Sequence, residues 1–322
     1  MSMNYCFSIP EGNCIYSVDM LYMVGYLTES FNTVFEHLKS VSEESKFYKG
    51  RSAYCDYQNM FKLNGVSFYL GRFDSFDAVS REWSVVPMAM IRFNPNKTCI
   101  DSVNPLIDYF CSVTHSRYLQ KYDIACDVPC KPENIVVASK RSYGCIDSGV
   151  TRYYGSVHSD IRYKIYDKAL ELTKSDKSVT LDTPLTRIEL TIKGYAFRDL
   201  IESDTELADR FYLVDELNKT LSESDSLNDT DKAILTMFFR LRMHEPMFAI
   251  EELFSMLGRK KAKKLKDILS TSSPSRLACC SVAFSRNCIK QLLGLVSSRF
   301  DCTIYSSQKQ LFNELMSDFG IL

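Results

Sequence analysis

Residues Ile161–Lys168 read IRYKIYDK. In a β-strand, alternate side chains share a face. Ile161, Tyr163 and Ile165 then lie on one face, and Arg162, Lys164, Tyr166 and Lys168 on the other. The first set suits a core and the second a solvent-facing surface. Two further segments alternate in the same way. Tyr122–Val128 (YDIACDV) sets Asp123, Ala125 and Asp127 against Ile124, Cys126 and Val128. Thr186–Lys193 (TRIELTIK) sets Arg187, Glu189, Thr191 and Lys193 against Ile188, Leu190 and Ile192. Side by side, the three strands bring a tyrosine, carboxylates and several cations to one sheet face.

Outward from these strands, the N-terminal part reads mainly as further strands. Tyr16–Leu27, Gly65–Gly71, Val86–Phe93, Asn134–Ser139 and Thr151–Tyr154 are rich in β-formers, and the NPNK after Phe93 reads as a turn. Helical spacing is found at Phe31–Leu38 and at Asn104–Leu119, where Pro105 sits near the start. Strand runs with segregated helices predict an α+β fold around an antiparallel sheet. After Ala196 the pattern becomes helical: Phe197–Leu207, Phe211–Leu221, Asp231–Met243, Pro246–Leu257, Arg259–Leu269, Cys288–Ser297 and Gln308–Phe319. Residues 222–231, SESDSLNDTD, read as an acidic loop. The expected division is a catalytic domain over residues 1–200 and a helical domain over 201–322.

Composition excludes several classes. The 322 residues are 45% hydrophobic and 25% charged, which excludes a dominantly disordered or fibrous chain. A net charge of -1 excludes binding to polyanions by bulk charge, so a nucleic-acid site has to be a local groove. No apolar run approaches membrane-spanning length, and the N-terminus does not read as a secretory signal. The 12 cysteines include no CxxC pair, the nearest neighbours being Cys279–Cys280 and Cys126–Cys130. They read as free thiols of a cytoplasmic protein rather than a disulfide framework.

The polar face carries the chemistry. A tyrosine among cations suits attack on a phosphodiester. The cations orient the phosphate, stabilise charge in the transition state and favour the phenolate. Aspartates are poor strand formers and need a reason to be there. One reason is a hard cation such as Mg²⁺ or Mn²⁺, and another is a salt bridge to the neighbouring basic strand. Asp123 and Asp127 stand roughly 13 Å apart along a strand, too far for both to ligate one ion. Glu189 is the second candidate carboxylate. Arg259–Lys266 (RKKAKKLK) holds six cations in eight residues after a Gly258 stop. With the preceding helix it suits a helix-turn-helix-like pair on a DNA backbone, or else a solvated charged helix.

The segments, in order, resemble the replication initiators of rolling-circle plasmids of the Rep_trans type and, more distantly, the filamentous-phage replication endonucleases. YSVDMLYMVGYL resembles the family's opening strand, with Asp19, Gly25 and Leu27 in place. MIRFNPNK (Met90–Lys97), DIACDV, RYYGSVHSDIRYKIYDKALE (Arg152–Glu171) and TRIELTIK resemble its next four segments. The match spans about residues 16–200.

The resemblance implies that Tyr166 is the nucleophile, that Asp123 and Glu189 hold a divalent metal (Mg²⁺ or Mn²⁺), and that Glu171 follows the tyrosine as a catalytic glutamate. It implies DNA contacts from Arg162, Lys164 and Lys168, and from Arg259, Lys260, Lys261, Lys263 and Lys264 in the C-terminal part. It also implies double-stranded origin DNA, a single-stranded nick site, a homodimer and a host helicase as partners. Arg92 and Thr191 stand where the family has glutamates, and Lys164 replaces an arginine. His158, eight residues before Tyr166, reads as a surface residue or a phosphate contact. A closing cleavage has three candidates: Tyr163, Glu171 or Tyr166 of a second subunit. A mobilisation relaxase, a non-enzymatic DNA-binding regulator on a decayed nuclease fold and an α+β interaction module are the competing readings.

Overall fold

Alternation, rather than long apolar runs, locates the strands of this chain. A computed structural model describes residues 7–11, 13–48, 57–77, 82–98, 105–138, 146–148, 151–156, 159–175, 183–193, 210–223, 225, 227–244, 255–270, 281–282 and 286–304. The strands of the N-terminal half are β1 (Ser8–Glu11), β2 (Cys14–Leu27), β3 (Glu44–Phe47), β4 (Tyr57–Leu63), β5 (Val66–Asp77), β6 (Glu82–Phe93) and β7 (Thr114–Val128). They are followed by β8 (Ile135–Ala138), β9 (Ile146–Ser148), β10 (Thr151–Tyr154), β11 (Ile161–Asp167), β12 (Thr186–Lys193), β13 (Arg210–Leu213) and β14 (Ser281–Val282). Eleven of them form one antiparallel sheet in the order β3-β4-β5-β6-β2-β7-β12-β11-β10-β9, with β1 added to β2. A second, three-stranded sheet has the order β14-β13-β8. The fold is α+β around a large antiparallel sheet, as the alternation predicts.

The apolar side of the large sheet packs against helices. Val18, Leu21 and Met23 of β2, Ile124 and Cys126 of β7, Ile165 of β11 and Ile188 and Leu190 of β12 are all buried there. They meet Leu106 and Phe110 of the helix Pro105–Val113, and Ile289, Leu292 and Val296 of the helix Arg286–Phe300. Phe300 sets its ring against Phe7 (6.0 Å between centroids) and Phe93 (5.4 Å). The helix Phe31–Val41 begins at Ser30, whose hydroxyl accepts the Thr33 N–H.

Three local expectations are corrected. The helix predicted over Asn104–Leu119 stops at Val113, and Thr114 opens a 15-residue strand. Arg117 closes that helix end, donating from Nη1 to the carbonyls of Cys111 (3.0 Å) and Thr114 (2.7 Å). Its Nε reaches the carbonyls of Phe300 and Asp301 at the end of the last helix. One guanidinium thus satisfies the carbonyls that two helix ends leave without partners. NPNK is a one-turn helix, Pro95–Thr98, with the Asn94 side chain accepting the N–H groups of Asn96 and Lys97. The predicted helix Phe211–Leu221 begins as β13, because Phe211 and Tyr212 pair with Val137 and Val136 before the chain turns helical at Val214.

β13 ties the later chain to the earlier one. Its Phe211 contacts Tyr163 of β11 (5.0 Å between ring centroids). A second cluster of Val136, Tyr212, Leu221, Leu235, Phe238 and Phe239 packs between the small sheet and the helices Val214–Glu223 and Asp229–His244. The expected boundary at residue 200, the helices predicted at Phe197–Leu207 and Gln308–Phe319, most of Pro246–Leu257, and the pair Cys279–Cys280 lie outside the described residues. Among the described residues no helix is long and apolar enough to cross a membrane.

Candidate active site

Strand register assembles the site. On β12, Arg187 stands opposite Asp127, Glu189 opposite Ala125 and Thr191 opposite Asp123 of β7. Across its other edge, Arg187 faces Tyr166, Glu189 faces Lys164 and Thr191 faces Arg162 of β11. The alternation of all three strands is as predicted, so these side chains share the face away from the helices. Tyr166 Oη donates to Glu189 Oε1 at 2.5 Å. Lys164 Nζ donates to Glu189 Oε2 at 2.9 Å and lies 4.3 Å from the Tyr166 ring centroid. Phenol, carboxylate and ammonium form one contact group.

Beneath this group lies a buried ion network. The Arg187 guanidinium is 2% exposed. It donates to Asp127 through Nε at 2.6 Å and Nη2 at 2.7 Å, a bidentate pair, and to Asp19 through Nη1 at 2.8 Å. Asp19 sits where the β2–β7 register shifts between Val18 and Met20. Asn94 Nδ2 donates to the same Asp19 oxygen at 3.2 Å, and Asn96 hydrogen-bonds the Val18 carbonyl and the Phe7 N–H. The FNPNK segment therefore anchors the bulge that aims Asp19 at Arg187. Sequence reasoning placed Arg187 and Asp127 on polar faces without pairing them. The available signal was an aspartate strand beside a basic one, for which a salt bridge was the alternative reading.

The tyrosine is not on a wet face, contrary to the sequence reading. Tyr166 is only 6% exposed. Burial pushes its phenol well above the ordinary value, and the negative charge of Glu189 adds to this. Arg187 opposes the rise. The resting phenol is protonated, with its proton on the bond to Glu189. Lys168 is also corrected as a phosphate contact: it is 5% exposed and its ammonium is held by Glu171. Burial raises the Glu171 carboxyl, but the hydrogen bond and charge of Lys168 outweigh it and hold the group below the usual range. Arg162 is half-buried, with its guanidinium 4.5 Å from the Tyr153 ring centroid and its Nε without a hydrogen-bond partner. Lys164 is far more open than Lys168, its side chain 34% exposed. Tyr163 lies on the core side, so it is withdrawn as a candidate for a second cleavage. His158 lies outside the described residues.

The residues expected to hold a metal can be tested on their own contacts. Asp123 Oδ1 is sealed from solvent without a hydrogen-bond partner, which by itself suits a ligand. Burial pushes its carboxyl up to about 6, against Lys121 and a hydrogen bond from Thr191. The other carboxylates of the face are paired with cations, Asp19 through Oδ1 alone. Glu189 is shared by Tyr166 and Lys164, and Asp127 and Asp19 are bound by Arg187. Among the described residues no three His, Cys, Asp or Glu side chains are grouped to hold an ion. A sealed Asp123 and one oxygen of the arginine-paired Asp19 do not fit a divalent metal. At the two departures from the family pattern, Thr191 bonds Asp123, and Arg92 lies 5.5 Å from the Tyr22 ring centroid, which Lys121 also approaches at 4.7 Å.

The basic helix spans Arg259–Ser270. Arg259, Lys260, Lys261 and Lys263 are exposed, and Ala262 is buried. Lys264 pairs with Asp231 at 2.7 Å, joining this helix to Asp229–His244. The acidic stretch thus ends in a structural ion pair.

No protein-family model matches the chain. No curated protein matches it either. Among solved structures it is similar to the rolling-circle replication initiator protein from Geobacillus stearothermophilus, at 15% identity and a TM-score of 0.33, over 67% of this chain and 90% of that one.

Proposed function

We propose that this chain is a rolling-circle replication initiator that nicks and rejoins one DNA strand through Tyr166. One observation carries the reading: the Tyr166 hydroxyl is already hydrogen-bonded to a carboxylate, with an ammonium group beside both. That is the arrangement of an activated nucleophile, a weak acid held against a proton acceptor. In the nicking step the Tyr166 proton passes to Glu189. The Oη–P bond forms and the P–O3′ bond breaks. The 3′-oxygen takes a proton from water, and Glu189 returns its proton to solvent. A 5′-phosphotyrosine and a free 3′-hydroxyl result, and reversal rejoins the strand. Lys164 stabilises the charge that builds on the phosphoryl oxygens.

In this reading the exposed cations Arg259, Lys260, Lys261 and Lys263 contact the phosphates of a duplex origin, and the sheet face receives a single-stranded nick site. Uncovering of the buried Tyr166 by the bound strand precedes attack. Two subunits and a host helicase complete the reaction, and Glu171 or the second subunit's Tyr166 serves the closing cleavage. A mobilisation relaxase shares this chemistry and differs in the DNA it selects.

The test is a nicking assay on single-stranded oligonucleotides tiled across the DNA around the gene, run beside Tyr166→Phe. A covalent adduct lost in the variant is expected. An adduct that persists in Tyr166→Phe moves the chemistry to another residue. The burial of Tyr166 favours a second reading, a DNA-binding regulator without nuclease activity. It predicts salt-sensitive duplex binding and no adduct.

A further inference from the structure

We propose that the cation serving this tyrosine is the Lys164 ammonium, and that the face has no resident divalent metal. The inference rests on the nicking reading for its chemistry. It rests on the sheet for its geometry.

Four carboxylates occupy the polar face of β2, β7 and β12: Asp19, Asp123, Asp127 and Glu189. A divalent ion is held by carboxylates whose oxygens are free to face it. Here three N–H groups of Arg187 take both oxygens of Asp127 and Oδ1 of Asp19, which also accepts from Asn94. Glu189 presents Oε2 to Lys164 and Oε1 to Tyr166, so both its oxygens are engaged. Asp123 remains, with one oxygen near Thr191 and the other sealed. One sealed carboxylate and a single oxygen of Asp19, whose charge Arg187 already balances, do not make a metal site.

The ammonium is where such an ion would act. Lys164 Nζ is 2.9 Å from the carboxylate that receives the tyrosine proton and 4.3 Å from the tyrosine ring. Its side chain is the most open of the group, so a phosphate approaching Tyr166 meets it first. Lys164 also holds Glu189 in position by charge. A phosphoryl oxygen arriving beside Nζ gains a charge-assisted bond, and the ammonium then spans acceptor and phosphate. Lys164 Nζ touches both the proton acceptor and the reacting phosphate in this account, so it is a catalytic residue. Arg187, which touches neither, positions β12.

The experiment uses the full chain and two readouts. The first is Mn²⁺ titration followed by electron paramagnetic resonance, which needs no DNA. Wild type is expected to bind no Mn²⁺ at millimolar concentration, and Lys164→Met to gain a site through the Glu189 oxygen it frees. The second is adduct formation with oligonucleotide in EDTA and in Mg²⁺. Wild type is expected to react at comparable rates in both. Lys164→Met is expected to lose about 10²-fold in EDTA, the effect of removing one charge-stabilising donor. Lys164→Arg keeps the charge and controls for folding, which far-ultraviolet circular dichroism checks in every variant. Adduct formation that stops in EDTA overturns the inference and leaves the nicking reading standing. So does Mn²⁺ binding by wild type that is lost in Asp123→Asn and Glu189→Gln. If no adduct forms under any condition, the nicking reading fails and the catalytic role of Lys164 fails with it, while the Mn²⁺ titration still decides the cation.

Discussion

Arg187→Met isolates the buried network. The substitution keeps the length of the aliphatic stem and removes the guanidinium. Three charge-assisted bonds at 2.6, 2.7 and 2.8 Å disappear. Asp127, 3% exposed, then holds an ionised carboxylate with no cation. Removing one partner of a buried pair costs about 3–5 kcal/mol, because the other charge stays buried. The charge of Asp19 is better solvated, its side chain being 22% exposed, so most of the cost falls on Asp127. The expected loss is about 4 kcal/mol, read as a lower urea midpoint with an unchanged slope. Adding Asp127→Asn removes the stranded charge, and the double variant is expected to recover at least half of that loss. The reasoning is refuted if Arg187→Met costs less than about 1 kcal/mol, the range of an exposed pair, or if the double variant is no more stable than the single one.

Three further outcomes are expected. Asp123 has its folded pKa raised from 3.8 to about 6, so its neutral form stabilises the fold below pH 4 and that contribution is lost as pH rises through 6. The loss amounts to about 3 kcal/mol, so Asp123→Asn is expected to be more stable than wild type at pH 8 and nearly equal at pH 4 in urea titrations. In Gly25→Ala the new Cβ falls 2.8 Å from Thr114 Cβ and 3.2 Å from Arg117 Cγ. The overpacked β2–β7 pair is expected to lose about 1–3 kcal/mol, visible in thermal melts. Lys168→Met leaves Glu171 in water rather than buried, since that side chain is 44% exposed. It is therefore expected to cost less than about 1 kcal/mol and to leave duplex binding at low salt unchanged.

The alternation of TRIELTIK and YDIACDV was sufficient to sort side chains between the two faces. Ile188, Leu190, Ile192, Ile124, Cys126 and Val128 are buried in the core, and their neighbours form the site. Period two is a local property, so it is legible in sequence. Register is not local. That Arg187 meets Asp127, and Lys164 meets Glu189, depends on how separate strands pair, and that Arg187 also meets Asp19 depends on the bulge in β2. For the same reason polar alternation does not mean exposure here: Tyr166, Arg187 and Lys168 are buried because charges satisfy one another. Asn104–Leu119 shows the opposite failure. Helical spacing continues past Val113, but pairing of Thr114 and His115 with Leu27 and Tyr26 overrides it. Phe211 is likewise drawn into a strand by Val137.

The last described helix has a consequence for how this protein is made. Arg286–Phe300 lies over Phe7 and Phe93, and Leu119 bonds the Thr303 carbonyl just beyond it. Strands synthesised early therefore wait for residues synthesised much later before their apolar side is sealed. During translation that side must be shielded by transient contacts or by a chaperone. A ribosome that stalls before residue 286 releases a chain whose sheet can pair but whose hydrophobic surface is open, and such a chain is prone to aggregate.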